Sequence, residues 1–537
     1  MSTESTIEGL RSAVQRAVLT LGQPAAAPTL ERPKQADHGD FSTNAAMLLA
    51  KPLGRPPREI ASDLVGALAD ELGDVLAKTE IAGPGFINLF ITDDFMEAAL
   101  ATFEPAPRPP TGATVNIEFV SANPTGPVHL GHARNAAYGD ALARILSFDG
   151  STVTREYYVN DAGSQVANLA RSIQARAKGE PVPEDGYQGE YIAEVASEIA
   201  GAANMPLDEL RPIAVERMLS RIRASLDAFG VEFDVWYSEA ELHSGSPSPV
   251  EHSFAVLEEH GRLFEQDQAQ WVRTSDLGDD KDRVVRRSDG EYTYFASDIA
   301  YHQDKRERGF DRLIDVWGAD HHGYVPRMKA AYEALGGDRE QLELLTMQFV
   351  NLVSDGVKVS MSKRAGSFET LDDLIAAVGA DAARWFLLNR SHDTTIEFDL
   401  DLATKQSNEN PVFYVQYAHA RIASILEKAG TARVTEAQDV EAWLHATEFH
   451  ASERALIHHL LAFPAEVTEA ATRRAPHRIA TYALELAQAF TAFYRDCQVV
   501  GAEPAGTEAR RLALAVASQS TLRAALTLLG VSAPDRM

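Results

Sequence analysis

Val115-Asn116-Ile117-Glu118-Phe119-Val120, followed shortly by Pro124-Thr125-Gly126-Pro127-Val128-His129-Leu130-Gly131-His132-Ala133, is the stretch on which the reading of this chain turns. The first run is apolar and strand-like. The second is broken by proline and glycine and delivers two histidines, three residues apart, to the start of a helix. Histidine donors and the unpaired N–H groups of a helix N-terminus both attract anions, and Gly131 permits close backbone approach. The pattern predicts a strand, turn and helix that bind nucleotide phosphate without a P-loop. Far downstream, Ser360-Met361-Ser362-Lys363-Arg364 adds a cation, Lys363, placed to follow charge developing on a leaving pyrophosphate. Taken singly each motif is weak: the first also reads as two ordinary histidines, the second as a solvated basic turn.

Outward from this stretch, apolar strand candidates recur at 114–120, 152–159, 313–318 and 347–353, each followed by a helical or glycine-containing segment. Such alternation predicts an α/β fold with a doubly wound, Rossmann-like parallel sheet and ligands at the carboxyl ends of its strands. Glu104-Pro105-Ala106-Pro107-Arg108-Pro109-Pro110-Thr111-Gly112 reads as a stiff linker. It separates an N-terminal α+β unit, 1–104, from a catalytic unit, 111–402, into which a largely helical insertion of roughly 165–270 is expected. Past Asp401 to Asn410, long amphipathic patterns such as Arg454-Ala455-Leu456-Ile457-His458-His459-Leu460-Leu461 predict an all-α unit, 405–537.

The chain has 537 residues, 45% hydrophobic and 24% charged, as suits a large multidomain enzyme. One cysteine, Cys497, excludes a disulfide framework. The polar start Met1-Ser2-Thr3-Glu4 and the lack of a charge-free stretch of membrane length predict a cytoplasmic protein with no membrane partner. Net charge is −28. Residues 1–110 hold 9 basic and 15 acidic side chains and residues 411–537 hold 12 and 13, so most of the excess acid lies between them. Any nucleic-acid surface must then be a local basic stripe, and the C-terminal unit repels phosphate least.

Order, separation and context of the two motifs together resemble the paired signatures of class I aminoacyl-tRNA synthetases. The neighbouring segments narrow the resemblance to arginyl-tRNA synthetases over nearly the whole chain. These are Glu118 to Gly126, Tyr158-Val159-Asn160-Asp161-Ala162-Gly163, Tyr187 to Ile192, Tyr294 to Tyr301, Gly318-Ala319-Asp320-His321-His322-Gly323-Tyr324 and Asn410 to Tyr417. The resemblance implies that ATP, as its Mg2+ complex, and L-arginine form arginyl-adenylate, which is passed to the terminal ribose of tRNA(Arg) by an enzyme expected to be a monomer.

By the same resemblance His129, Gly131 and His132 hold ATP from one side, and Met361, Ser362 and Lys363 from the other. His129, His132 and Lys363 are the catalytic set. The second motif departs from the usual Lys-Met-Ser-Lys-Ser form at Ser360 and Arg364, and whether Lys358 or Arg364 compensates is left open. Glu118, Asn123, Tyr294, Asp298 and His321 match arginine contacts. A guanidinium needs planar, carboxylate-rich recognition beside aromatic walls, so paired acids suit it. Alternatively Asp298 caps a helix, Glu118 is an edge-strand acid and Tyr294 a core aromatic. Asp320, His321 and His322 lack further ligands at metal spacing and read as pocket wall, with no protein metal site. Phe41 and Asn44, in Asp37-His38-Gly39-Asp40-Phe41-Ser42-Thr43-Asn44, are expected to meet an unpaired base of the tRNA D-loop corner, with a plain buried turn as the alternative, and Tyr417, Arg421 and Met537 the anticodon. The rivals are a small-acid nucleotidylyltransferase, which has no use for the two flanking units, and a non-catalytic RNA-binding paralogue, which would not need His129, His132 and Lys363.

Overall fold

The run opening at Thr114 forms the strand Thr114–Glu118, buried on both faces at the centre of a five-stranded parallel sheet, where Asn116 and Glu118 hydrogen-bond to Glu156 and Lys305. The computed structural model places the strands in the order Leu342–Met347, Arg312–Gly318, Thr114–Glu118, Thr152–Val159, Val235–Ser238. It describes every residue except 1–6, 22–27, 34–37, 359–369 and 445. All four pairings are parallel. From Thr114–Glu118 the chain winds to one side through two strands, then returns to the other. The order therefore reverses between Thr114–Glu118 and Arg312–Gly318, and such a switch opens a crevice at the carboxyl ends.

The Leu130–Phe148 helix that follows the central strand is buried along nearly its whole length. A Cβ at Gly139 would stand 2.2 Å from the Phe119 ring, so only glycine lets helix and strand pack this closely.

Two expectations change. The segment expected to be a helical insertion does contain helices Gly163–Lys178, Glu190–Glu198 and Leu207–Ala228, which share a satellite core. It also contains Val235–Ser238, the edge strand of the parallel sheet, hidden in the sequence because four residues are too few to show a period. The run at 347–353 divides. Met347 ends a parallel strand, and Val350–Ser354 pairs instead with Ile396–Asp399 and Val357–Lys358 in a separate sheet.

The N-terminal unit packs helices Ile7–Leu19, Ala45–Leu53, Pro57–Leu72 and Asp93–Thr102 on a four-stranded antiparallel sheet. Helices Pro411–Ala429, Ala451–Thr472, His477–Asp496 and Ala505–Leu528 build the C-terminal unit, and one continuous core links all three units. The terminal units dock through Asp40, which accepts from Ile91 N–H (2.7 Å), Arg454 Nη2 (2.9 Å) and pairs with His458 Nε2 (2.8 Å).

Candidate active site

His129 is the N-cap of the Leu130–Phe148 helix: its Nδ1 accepts the Gly131 N–H at 3.0 Å. An Nδ1 that accepts carries no proton, so the neutral ring holds its proton on Nε2, the exposed side, as a donor for an anion. His132, one turn on, is half-buried with its ring 6.4 Å from that of His129, nearly perpendicular. Burial, and then the neighbouring His129, push its pKa down, so it is neutral at pH 7. Its Nδ1 makes no hydrogen bond among the described residues. Asp320, at the end of the Arg312–Gly318 strand, lies close enough for its charge to act on His132 across the crevice.

Met361, Ser362 and Lys363 lie outside the described residues. The chain beyond them is placed: Thr370 bridges His129, and Leu371 N–H donates to Val128 O at 2.9 Å.

Opposite the histidines, acids gather. After Glu118 the backbone turns sharply through Val120 and Ser121, both at positive φ (68° and 43°), a conformation that typically costs roughly 1–3 kcal/mol for a non-glycine residue. The turn brings Ser121 Oγ to Glu118 Oε1 (2.8 Å) and to the Tyr158 N–H (3.1 Å). Lys305 Nζ, fully buried, bonds the other Glu118 oxygen at 2.5 Å and Asp315 at 2.8 Å. Glu118, expected among the arginine contacts, is thus also an internally paired acid, because a buried carboxylate at a strand end needs a counter-charge, and its strand is central, so the edge-strand alternative falls.

Asp298 is the fifth residue of the Tyr294–Glu307 helix. Thr293 occupies the N-cap, so the capping alternative for Asp298 falls. The Tyr324 hydroxyl donates to Asp298, and burial raises the Asp298 pKa. Beside it is an acid that the sequence reading missed. Glu239 is 5% exposed, starts the Glu239–Leu242 turn of helix and accepts from the Tyr158 hydroxyl. Asp161 holds this turn, accepting from Ser238 Oγ (2.6 Å) and Ala240 N–H (3.0 Å). Burial, then the charge of Asp298, push the Glu239 pKa up to about 7. Among the described residues no lysine or arginine pairs with either acid. The only sequence signal for Glu239 was its place after an unrecognised strand.

Tyr294 stands 68% exposed at the mouth of the crevice, which removes the core-aromatic alternative. His321 is also open, packed on Trp317 at 6.0 Å between ring centres. Asn123 Nδ2 donates to Gln165 Oε1 at 2.8 Å. No group of three His, Cys, Asp or Glu side chains among the described residues is arranged to hold a metal ion.

Of the remote residues, Phe41 is corrected: it is 5% exposed, edge-on to His458 at 5.2 Å, and offers no open ring face to a base. Its three-residue strand buries alternate side chains, Phe41 and Thr43. Asn44 Oδ1 accepts the Thr29 N–H at 3.0 Å, and the exposed aromatic of this unit is Phe86. Tyr417 lies stacked on Phe413 with Arg421 over its ring at 4.7 Å. The tail ending at exposed Met537 runs along the same helix, through His419 to Pro534 O (2.9 Å) and Arg536 to Glu427 (3.2 Å).

A doubly wound sheet with a capped histidine turn at its switch point and a helical bundle behind it defines a class I aminoacyl-tRNA synthetase. Family models agree in three pieces: arginyl tRNA synthetase N terminal domain at 6–91, tRNA synthetases class I (R) catalytic domain at 98–186 and 212–423, and DALR anticodon binding domain at 415–537. An arginine–tRNA ligase of Geobacillus thermodenitrificans is 46% identical, with 99% of each chain covered. One of Kineococcus radiotolerans is 47% identical, covering 99% of this chain and 98% of that one. The arginyl-tRNA synthetase structure of Thermus thermophilus shares the fold with a TM-score of 0.80 at 24% identity over 99% of this chain and 100% of that one. The chain belongs to the arginyl-tRNA synthetase family.

Proposed function

We propose that the crevice activates L-arginine with ATP and transfers it to tRNA(Arg), as an arginine–tRNA ligase does, with the site residues in the following roles. The arginine carboxylate attacks the α-phosphorus and pyrophosphate leaves. The terminal ribose hydroxyl of the tRNA then attacks the acyl carbon and AMP leaves. Catalysis of this kind is positioning and charge stabilisation. His129 Nε2–H and the neutral His132 donate to the triphosphate where the helix N-terminus also attracts it. Lys363 stabilises the departing pyrophosphate.

The observation that carries the reading is the pair Glu239 and Asp298, two neighbouring acids, one buried and one half-buried, that pair with no lysine or arginine among the described residues and are walled by Tyr158, Tyr324 and Tyr294. A guanidinium satisfies both charges and presents five donors in one plane. Glu118, neutralised by Lys305, together with Asn123 and His321, shapes the end of the pocket where the α-amino group and carboxylate lie. Magnesium would enter with ATP as part of the substrate.

For the tRNA, Tyr417, Arg421 and Met537 are proposed anticodon contacts, supported by the exposure of Tyr417 and Met537 and by Arg421 lying over the Tyr417 ring. The N-terminal unit would meet the D-loop corner through exposed Phe86 rather than Phe41. Pyrophosphate exchange over the twenty amino acids, with and without tRNA, tests the function: exchange must be confined to arginine. Exchange with another amino acid, or RNA binding without turnover, would favour one of the rival readings.

A further inference from the structure

Arg134 follows His132 by two residues on the same helix and is 1% exposed. Its guanidinium is held by main-chain carbonyls: Nη1 donates to Gln348 O (2.7 Å) and Thr394 O (2.8 Å), Nη2 to Ser391 O (2.8 Å). Nε makes no hydrogen bond among the described residues. Burying a guanidinium without a close carboxylate costs several kcal/mol, which apolar packing of the same volume would avoid. The three carbonyls show what the charge achieves. Gln348 is the step between the parallel edge strand Leu342–Met347 and the strand Val350–Ser354 of the small sheet. Ser391 and Thr394 belong to the turn leading into Ile396–Asp399 of that same sheet.

The step is fixed again from the far side. Gln348 N–H donates to His392 O (2.9 Å), and Phe349 O accepts the Ile396 N–H (3.0 Å), leaving the Phe349 ring 63% exposed at the carboxyl end of the sheet. The His129 turn is in turn bridged to Thr370. One buried fork thus locks the helix that begins with the two histidines to the outlet of the edge strand Leu342–Met347, with Arg312–Gly318 lying between. The crevice in which the doubly wound fold places its nucleotide opens at the carboxyl ends of Thr114–Glu118 and Arg312–Gly318, within the span that this fork bridges.

We propose that Arg134 is a positioning residue for ATP: it fixes the Gln348–Phe349 step against the His129–His132 turn, so that adenosine and triphosphate are received between walls of set separation. This rests on the assignment of the triphosphate to His129 and His132. Asp298 and Glu239 share no hydrogen bond with Arg134, so the arginine pocket should be left alone.

Pyrophosphate exchange with tRNA present would be measured on Arg134→Lys, Arg134→Ala and, alongside, His132→Ala, with KM for ATP and arginine separated and thermal midpoints recorded. Displacements of about 1 Å at a reacting centre cost roughly 100-fold. Arg134→Ala is therefore expected to lose about 10- to 100-fold in kcat/KM for ATP with KM for arginine within about twofold. Lysine cannot span three carbonyls with one planar fork and should fall between, and free guanidinium at a few millimolar should restore part of the alanine variant's rate. If the alanine variant does not fold, the lysine variant carries the same comparison. A folded variant with unchanged ATP constants, or with ATP and arginine constants worsened equally, overturns the proposal. Wild-type exchange by His132→Ala would instead overturn the triphosphate assignment beneath it.

Discussion

Replacing Glu239 by glutamine tests the arginine pocket most directly, because the structure sets both the size and the pH dependence of the effect. Burial and Asp298 hold the Glu239 pKa at about 7 in the empty pocket, with Asp161 adding in the same direction and the Tyr158 hydroxyl bond opposing it. Only the ionised form completes the pair that receives a guanidinium. At pH 6 about a tenth of the enzyme carries that charge, and at pH 7.5 about three quarters. The KM for arginine should therefore fall roughly eightfold between these values and flatten above pH 8. Glutamine keeps the shape but removes the charge. Truncating one partner of a buried charge pair costs about 2–5 kcal/mol, so KM for arginine at pH 7.5 should rise about 30-fold or more, lose its pH dependence, and leave KM for ATP unchanged. Stability should move the other way. A carboxyl whose folded pKa is raised contributes stability only while protonated, and that contribution disappears as pH rises through about 7, so the glutamine variant should be the more stable at pH 8. Exchange kinetics with tRNA between pH 6 and 8.5, paired with thermal melts, read all of this. A wild-type arginine KM in the variant, or a flat profile in the parent enzyme, would remove Glu239 from the pocket.

Asp298→Asn should likewise raise KM for arginine sharply and that for ATP little, in the same exchange assay; equal changes in both would point to a folding defect. His132→Ala should lower the rate of adenylate formation about 100- to 1,000-fold, as loss of one charge-stabilising donor does, with an unchanged melting midpoint. At the interface of the terminal units, desolvation opposes ionisation of Asp40, but the His458 and Ile91 hydrogen bonds and the charge of Arg454 prevail and lower its pKa. Its contribution is present above the usual carboxylate range and is lost as pH falls through the lowered pKa. Asp40→Asn, which takes the carboxylate from His458 but leaves Arg454 its bonds to Asp93 and Ile91 O, should cost about 1–3 kcal/mol and lower the first thermal transition at pH 7; an unchanged midpoint would mean that the core alone joins the units.

The sequence by itself determined the doubly wound fold, because strand-like runs alternate with helical segments along the chain and a capped, glycine-containing turn follows the first of them. It determined the family too, since the histidine turn and the Tyr294–Asp298 helix are local patterns in which neighbours in sequence are neighbours in space. Only the tertiary structure decided how the acids divide. Lys305 lies far along the chain from Glu118, and nothing local to either shows that one neutralises the other. Glu239 reaches Asp298 only because a four-residue strand, too short to have a readable period, pairs at the sheet edge. Phe41 read either as a base contact or as part of a buried turn, and the C-terminal helix that carries His458 covers it. Periodicity records which side chains an element buries, but a charge is fixed by whatever stands opposite it, and that partner is chosen when distant elements pack.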